Sequence, residues 1–492
     1  MTIPFKQVPQ NLRVPLFYAE LDNSRANTSQ QNQRALIIGQ ITTGSATPNV
    51  PVISQGASDA ITQGGANSML ALMTAAYAAN DSFGEVWYLP LSDAAGATAA
   101  TGSIAFTAAP TAAGTLSLYV AGQLLSVAIT ASMTTAQVAT AVAAAINAVA
   151  SMPVTAAAST STVTLTADNK GLAGNDIDIR VNAKGVSAGE VTPTGLTFTI
   201  TAMASGATNP TLTTGLANLL DMPFDFIVCP YTDATSLDAL KSFLNDQTGR
   251  WSWTQQVYGH VFAANRGTFA NQTTLGLTRN NQHETILGFN DSPTPNWIWA
   301  AALAGAAAVS LRADPALPLQ TVQIQGVMAP PLQSRFNLSQ RNTLLWDGIS
   351  TFTVAQDGTV AIENLITTYQ LNGFGQPDNS YLEVETMFTL AYLLRDYASL
   401  VTSKYARVKL AADGTRFAPG SNIVTPSVIK ADIIARYQEQ EFNGYVQKSK
   451  EFAQGLIVEQ NATNPNRIDV LWPGTLIDQL RIFALLGQFR LS

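Results

Sequence analysis

The chain has 492 residues, 46% of them hydrophobic and only 12% charged, with a net charge of −7. That length exceeds what one core can organise and implies two to four domains. The acidic balance excludes nucleic-acid binding through a broad basic surface, and the single cysteine, Cys229, excludes an internal disulfide framework and suits folding in a reducing compartment.

Residues 1–32 contain Pro4, Pro9 and Pro15 and then a polar run without periodicity, so they read as an extended arm or a disordered tail. The start lacks the basic-then-apolar pattern of a signal peptide. Arg34–Gly39 reads as a buried strand, Ala66–Ala79 as a helix and Glu85–Pro90 as the next strand, a βαβ beginning that implies a parallel sheet. From Ala94 to Ala167 no residue is charged and Ala and Thr dominate, yet apolar alternation persists. Strands are expected at 103–107, 115–120, 124–130 and 162–166, then at 176–181 and 196–202. Thr134 and Gln137 form a capping-box pattern opening a helix whose stripe is Val138, Val142, Ile146 and Val149. The region 94–206 is thus expected to be a β-rich domain inserted into an α/β core formed by 33–93 and 207–313.

Strands at 224–229, 257–263 and 284–289, with helices at 236–246, 272–280 and 297–311, resume the α/β rhythm. The last helix is too short and alanine-rich to span a bilayer well, and its small residues suit close packing on a sheet. Residues 314–477 read as an α+β domain. It has a hairpin turn at Gln356-Asp-Gly358, helices at 381–397 and 429–442, and strands at 455–459 and 467–472. Residues 478–492 end the chain in a strand-like run, with Leu480, Ile482 and Leu486 on one face and Phe483, Leu485, Phe489 and Leu491 on the other. A strand buried on both faces needs a sheet beside it and cover above and below. It is either the last strand of its own domain or one lent to a neighbouring chain.

No catalytic constellation emerges. There is no Gly-x-Ser-x-Gly elbow, no phosphate-binding loop and no dinucleotide fingerprint. His260 and His283 read as packed or solvated rather than catalytic, Cys229 as a packed thiol in an apolar strand, and the acidic pairs Asp176/Asp178 and Glu383/Glu385 as solvated. No cofactor or metal is expected.

The C-terminal third resembles the contractile tail sheath proteins of bacteriophages, particularly the Mu-like group. The carrying stretches are 442–459 (FNGYVQKSKEFAQGLIVE), 461–470 (NATNPNRIDV) and Leu480–Ala484. Residues 170–180 (KGLAGNDIDIR) resemble a turn-and-strand signature of the inserted sheath domain. The resemblance implies a multidomain α/β and α+β chain whose doubly wound core has subtilisin-like topology, a label for fold and not for a protease. It further implies a subunit of hexameric rings stacked helically around a tail tube, contracting to drive the tube through the host envelope, and contacts with tube, baseplate and terminator proteins. It implies no enzyme activity, no direct nucleic-acid contact, no membrane insertion, assembly in the host cytoplasm and residence in the virion. Chain ends that cross to neighbours would make Leu480, Ile482, Phe483, Leu485, Leu486, Phe489 and Leu491 the exchanged strand. Lys430, Arg436, Lys448 and Lys450 are the tube-facing candidates. A non-contractile tail-tube or surface-layer protein is the alternative, and an α/β hydrolase the enzymatic rival.

Overall fold

The computed structural model describes residues 33–418 and 420–491. They fall into two compact units, one of residues 33–391 and 476–491, the other of residues 392–475. The expected arm at 1–32 lies outside the described residues.

The first unit begins with β1 (Ala35–Gln40), buried at every position. It continues through β2 (Val52–Ile53), α1 (Ala57–Gly64), α2 (Met69–Ala78) and β3 (Val86–Leu91). Ser68 caps α2 by accepting a hydrogen bond from the Ala71 N–H at 3.1 Å. The chain then leaves this sheet and builds another layer pair. Strands β4 (Thr101–Ala108), β5 (Gly114–Val120) and β6 (Gln123–Ile129) precede helix α3 (Thr135–Asn147). Strands β7 (Val154–Ser159), β8 (Thr162–Ala167), β9 (Ile179–Val181) and β10 (Thr197–Ala204) follow it. They pair antiparallel as β10-β4-β8-β7 and β6-β5-β9. The capping box opens α3 as the sequence implies: the Thr134 N–H reaches Gln137 Oε1 at 2.8 Å, and the Gln137 N–H reaches Thr134 Oγ1 at 3.3 Å. Val138, Val142 and Ile146 of its stripe are buried with Ile104, Leu118 and Val163 in a core that needs no charged residue.

The expected strand at 176–181 is only partly one. Leu172–Asp176 is a 3₁₀ turn and the strand starts at Ile179. The reason is polar. The stretch 168–180 is the seam between inserted layers and parent sheet, and its side chains are used there instead of pairing in a strand. Asn169 accepts from the Met69 N–H at 2.9 Å and donates to the Ile41 carbonyl at 3.0 Å. Asn67 donates to Asp168 at 2.7 Å, Arg266 pairs with Asp176, and Arg180 pairs with Asp291 at 2.9 Å. Gly171 sits at φ +127°, and a Cβ there would lie 2.9 Å from Asn209 Oδ1, so the turn requires glycine.

The chain returns through α4 (Thr213–Ala217), β11 (Phe226–Val228), α5 (Ala234–Leu244), β12 (His260–Arg266), α6 (Phe269–Leu277), β13 (Glu284–Phe289) and α7 (Asn296–Ala313). The sheet order is β13-β12-β11-β1-β3-β2, parallel except for β2 against β3. Helix α7 is buried nearly all round, from Trp297 and Trp299 through its alanines to Leu311. Its small side chains bring it close to α2: a Cβ on Gly305 would lie 2.6 Å from the Tyr77 carbonyl oxygen. The unit adds α8 (Leu338–Trp346) and the antiparallel hairpin of β14 (Thr351–Val354) and β15 (Val360–Asn364), turned at Gly358 with φ +88°.

Helix α9 (Val384–Tyr405) carries the chain into the second unit. There β16 (Lys409–Leu410) pairs parallel with β17 (Ile423–Val424), and α10 (Pro426–Phe442), β18 (Val446–Gln447), α11 (Ser449–Gly455), β19 (Ile457–Gln460) and β20 (Ile468–Leu471) follow. Its centre is aromatic: Tyr437 stacks on Phe452 at 3.7 Å between centroids, and Trp472 packs edge-on to Phe452 at 5.6 Å. The Tyr437 hydroxyl donates to the Gln447 carbonyl at 2.7 Å and accepts from the Thr475 N–H at 3.0 Å.

Candidate assembly surface

The terminal run is where sequence and structure differ most. Residues 477–491 form no strand. Leu480, Ile482, Phe483, Leu485, Leu486, Phe489 and Leu491 are 69–90% exposed. The expectation of burial on both faces fails within the single chain: among the described residues the segment joins no sheet. What remains is an extended, apolar, unpaired edge, the kind of surface that pairs with another chain.

In the second unit, β19 and β20 form an isolated two-stranded antiparallel sheet, with Ile457 paired to Leu471 and Gln460 to Ile468. Ile457, Val470 and Leu471 are 44–60% exposed. A two-stranded sheet is marginal alone, and among the described residues no third strand pairs with either edge of this one. The four basic candidates part company in the same unit. Arg436 is consumed internally, pairing with Asp396 and with Glu439 at 2.7 Å, and its guanidinium is held more firmly protonated by those carboxylates. Lys430, on α10, is half-buried, whereas Lys448 and Lys450 are exposed. None of these three lysines forms an ion pair among the described residues. Lys448 stands at φ +62° just before α11.

The remaining reactive groups are built into the core. His260 and His283 are each 1% exposed. His260 Nε2 lies 2.8 Å from Thr285 Oγ1, and burial holds its ring well below the usual imidazole range. Burial also lowers His283, opposed by Asp246 at 2.8 Å. Cys229 is fully buried, and desolvation pushes its thiol up to about 12, so it is no nucleophile at neutral pH. The acidic pairs are not solvated as expected. Asp176 has 14% of its side chain exposed, its carboxyl raised by burial against the pull of Arg266. Glu385 is 0% exposed, and burial pushes neighbouring Glu383 up to about 7. Sequence reading missed both because their counter-ions, Arg266 and Arg481, lie about 90–100 positions away. A cavity of about 390 Å³ beside β14 is lined by Leu332, Phe336 and Phe352, with Arg335 and Arg341 as its charged residues. No Ser, Cys, His, Asp or Glu is among its lining residues. Among the described residues no His, Cys, Asp and Glu cluster could hold a metal, and no helix is long and apolar enough to cross a membrane.

Comparison with known proteins meets this picture. Residues 205–368 match the phage tail sheath protein central domain and residues 376–490 the phage tail sheath C-terminal domain. The Mu-like prophage FluMu tail sheath protein of Haemophilus influenzae is 40% identical over 492 residues, covering 99% of this chain and 100% of the relative. A sheath tail protein from Desulfitobacterium hafniense aligns in structure over 95% of this chain and 97% of its own, at 13% identity and a TM-score of 0.49. One from Listeria innocua covers 92% and 94%, at 13% identity and a TM-score of 0.47. Matched from end to end by such a relative, the chain belongs to the phage tail sheath family of the Mu-like kind, a structural component of the virion tail and not an enzyme.

Proposed function

We propose that this subunit polymerises as hexameric rings stacked helically around the tail tube, and that the polymer contracts to drive the tube through the host envelope for genome ejection. Copies assemble in the host cytoplasm on the tube protein, between a baseplate and a terminator. The working parts are the arm 1–32, the α/β core of 33–93 and 207–313 with subtilisin-like topology, the inserted domain 94–206, the sheath domain 314–477 and the terminal arm 478–492. The observation that carries this reading is the terminal arm, with seven large apolar side chains 69–90% exposed on a backbone that joins no sheet among the described residues. A head-to-tail contact that does not close builds a helical polymer. An exchanged strand keeps copies joined while their bodies repack between two interface sets.

The acceptor on the next copy is an open edge of the β19–β20 sheet, where a third strand would cover Ile457, Val470 and Leu471. Charge supports the match: that hairpin carries Glu459 and Asp469 against Arg467, whereas the arm's tip carries Arg490. Lys430, Lys448 and Lys450 face the tube, and Arg436 holds α10, the helix that carries Lys430, through Asp396 and Glu439. Exposed ion pairs of about 0–1 kcal/mol each suit a contact that must release. Deleting residues from Ile482 onward, which leaves Arg481 paired with the buried Glu385, is the test. Electron microscopy should show no tubes while the cores stay folded; normal tubes from the truncated chain would refute strand exchange.

A further inference from the structure

The terminal arm is not loose along its whole length. Burial breaks the exposed run at Gln479 and most tightly at Arg481, whose side chain is 16% exposed between Leu480 at 69% and Ile482 at 83%. Its Nη2 lies 2.8 Å from Glu385 Oε2, 3.0 Å from Glu383 Oε2 and 2.6 Å from Gln479 Oε1. Glu385 is wholly buried at the start of α9, and its other oxygen accepts from the Leu319 N–H at 2.7 Å. Oε2 has no hydrogen-bond partner besides this ion pair, so Arg481 is what neutralises it. Two weaker ties flank the clamp, Gln479 Nε2 to the Ala316 carbonyl at 3.0 Å and Gln320 Nε2 to the Leu480 carbonyl at 3.3 Å. After Arg481 the ties stop: residues 482–491 are all exposed, and no hydrogen bond or ion pair holds them among the described residues.

We propose that Arg481 is the fixed root of the arm. The Glu383–Glu385 pair clamps its guanidinium in free and assembled protein alike, so the arm pivots after residue 481 and only 482–491 travel to a second copy. A guanidinium suits this role because it stays charged; every contact falls on Nη2, while Nε and Nη1 are buried without hydrogen-bond partners. The eleven residues that follow Arg481, extended at ~3.3 Å each, reach roughly 36 Å from that root, which sets the distance within which the acceptor edge must lie. The inference rests on the arm-exchange reading but concerns a different bond.

Trypsin separates the two. It must draw an arginine side chain into its own acidic pocket, and the arm offers it Arg481–Ile482 and Arg490–Leu491. In unassembled full-length protein, intact mass should show rapid cleavage after Arg490, with cleavage after Arg481 at least about tenfold slower, tracking how often the clamp opens. In the Glu383→Gln/Glu385→Gln variant the two rates should converge, with Cys229 still closed to thiol reagents as proof of fold. Should that variant open the core, Glu383→Gln alone must still speed cleavage after Arg481. Equal rates in the wild type, or rates unchanged in the folded variants, would overturn the anchor. In assembled protein both bonds should be protected. Continued cleavage after Arg490 alone would sink arm exchange and leave the anchor standing.

Discussion

Phe489→Ala separates the monomer from the polymer. In the isolated chain Phe489 is 86% exposed, so removing its ring should leave monomer stability within about ±0.5 kcal/mol. Seated in a neighbour's sheet, the same ring is worth about 1.5–3 kcal/mol. Each 1.4 kcal/mol is tenfold in association, so the critical concentration for tube formation should rise roughly 10- to 100-fold. Phe452→Ala is the opposite control. That ring is 2% exposed in the aromatic centre of the second unit, and its loss should cost about 3–5 kcal/mol in the monomer itself. Sedimentation of polymer against protein concentration, beside thermal melts of the monomer, reads both. An unchanged critical concentration for Phe489→Ala, or a clearly destabilised monomer, would refute the reasoning.

Cys229, buried and pushed up to about 12, should react with a thiol reagent only as the first unit unfolds, whereas fast labelling of native protein would contradict its packing. Glu383 is raised from 4.5 to about 7 by burial, facing Arg481 and Glu385, so the stability it confers is full below pH 4.5 and lost as pH rises through 7. A rise of that size corresponds to at most about 3 kcal/mol, and Glu383→Gln should flatten this part of the pH–stability curve; an unchanged slope would show that the carboxyl titrates normally.

Local signals were the legible ones. The Thr134/Gln137 capping box, the turn at Gly358 and the small-residue helix α7 each act within a few positions, and each stands where the sequence put it. The same signal was overlooked once: Asn337 and Gln340 cap α8 with a full box, and no helix was expected there. What stayed hidden were pairings across long stretches of chain. Asp176 looks solvated until Arg266 is brought to it, and Glu385 until Arg481 is. The terminal run shows a further limit. Its apolar pattern correctly marks residues that need cover, but no periodicity says whether the cover comes from the same chain.

The most direct measurement is a density map of the assembled polymer, traced through the arm from Arg481 to Leu491. The account predicts continuous density leaving the parent unit after Arg481, still clamped between Glu383 and Glu385, and running as an added strand beside β19 or β20 of another copy. Density that folds residues 482–491 back onto their own unit, with the β19–β20 edges left bare, would contradict it.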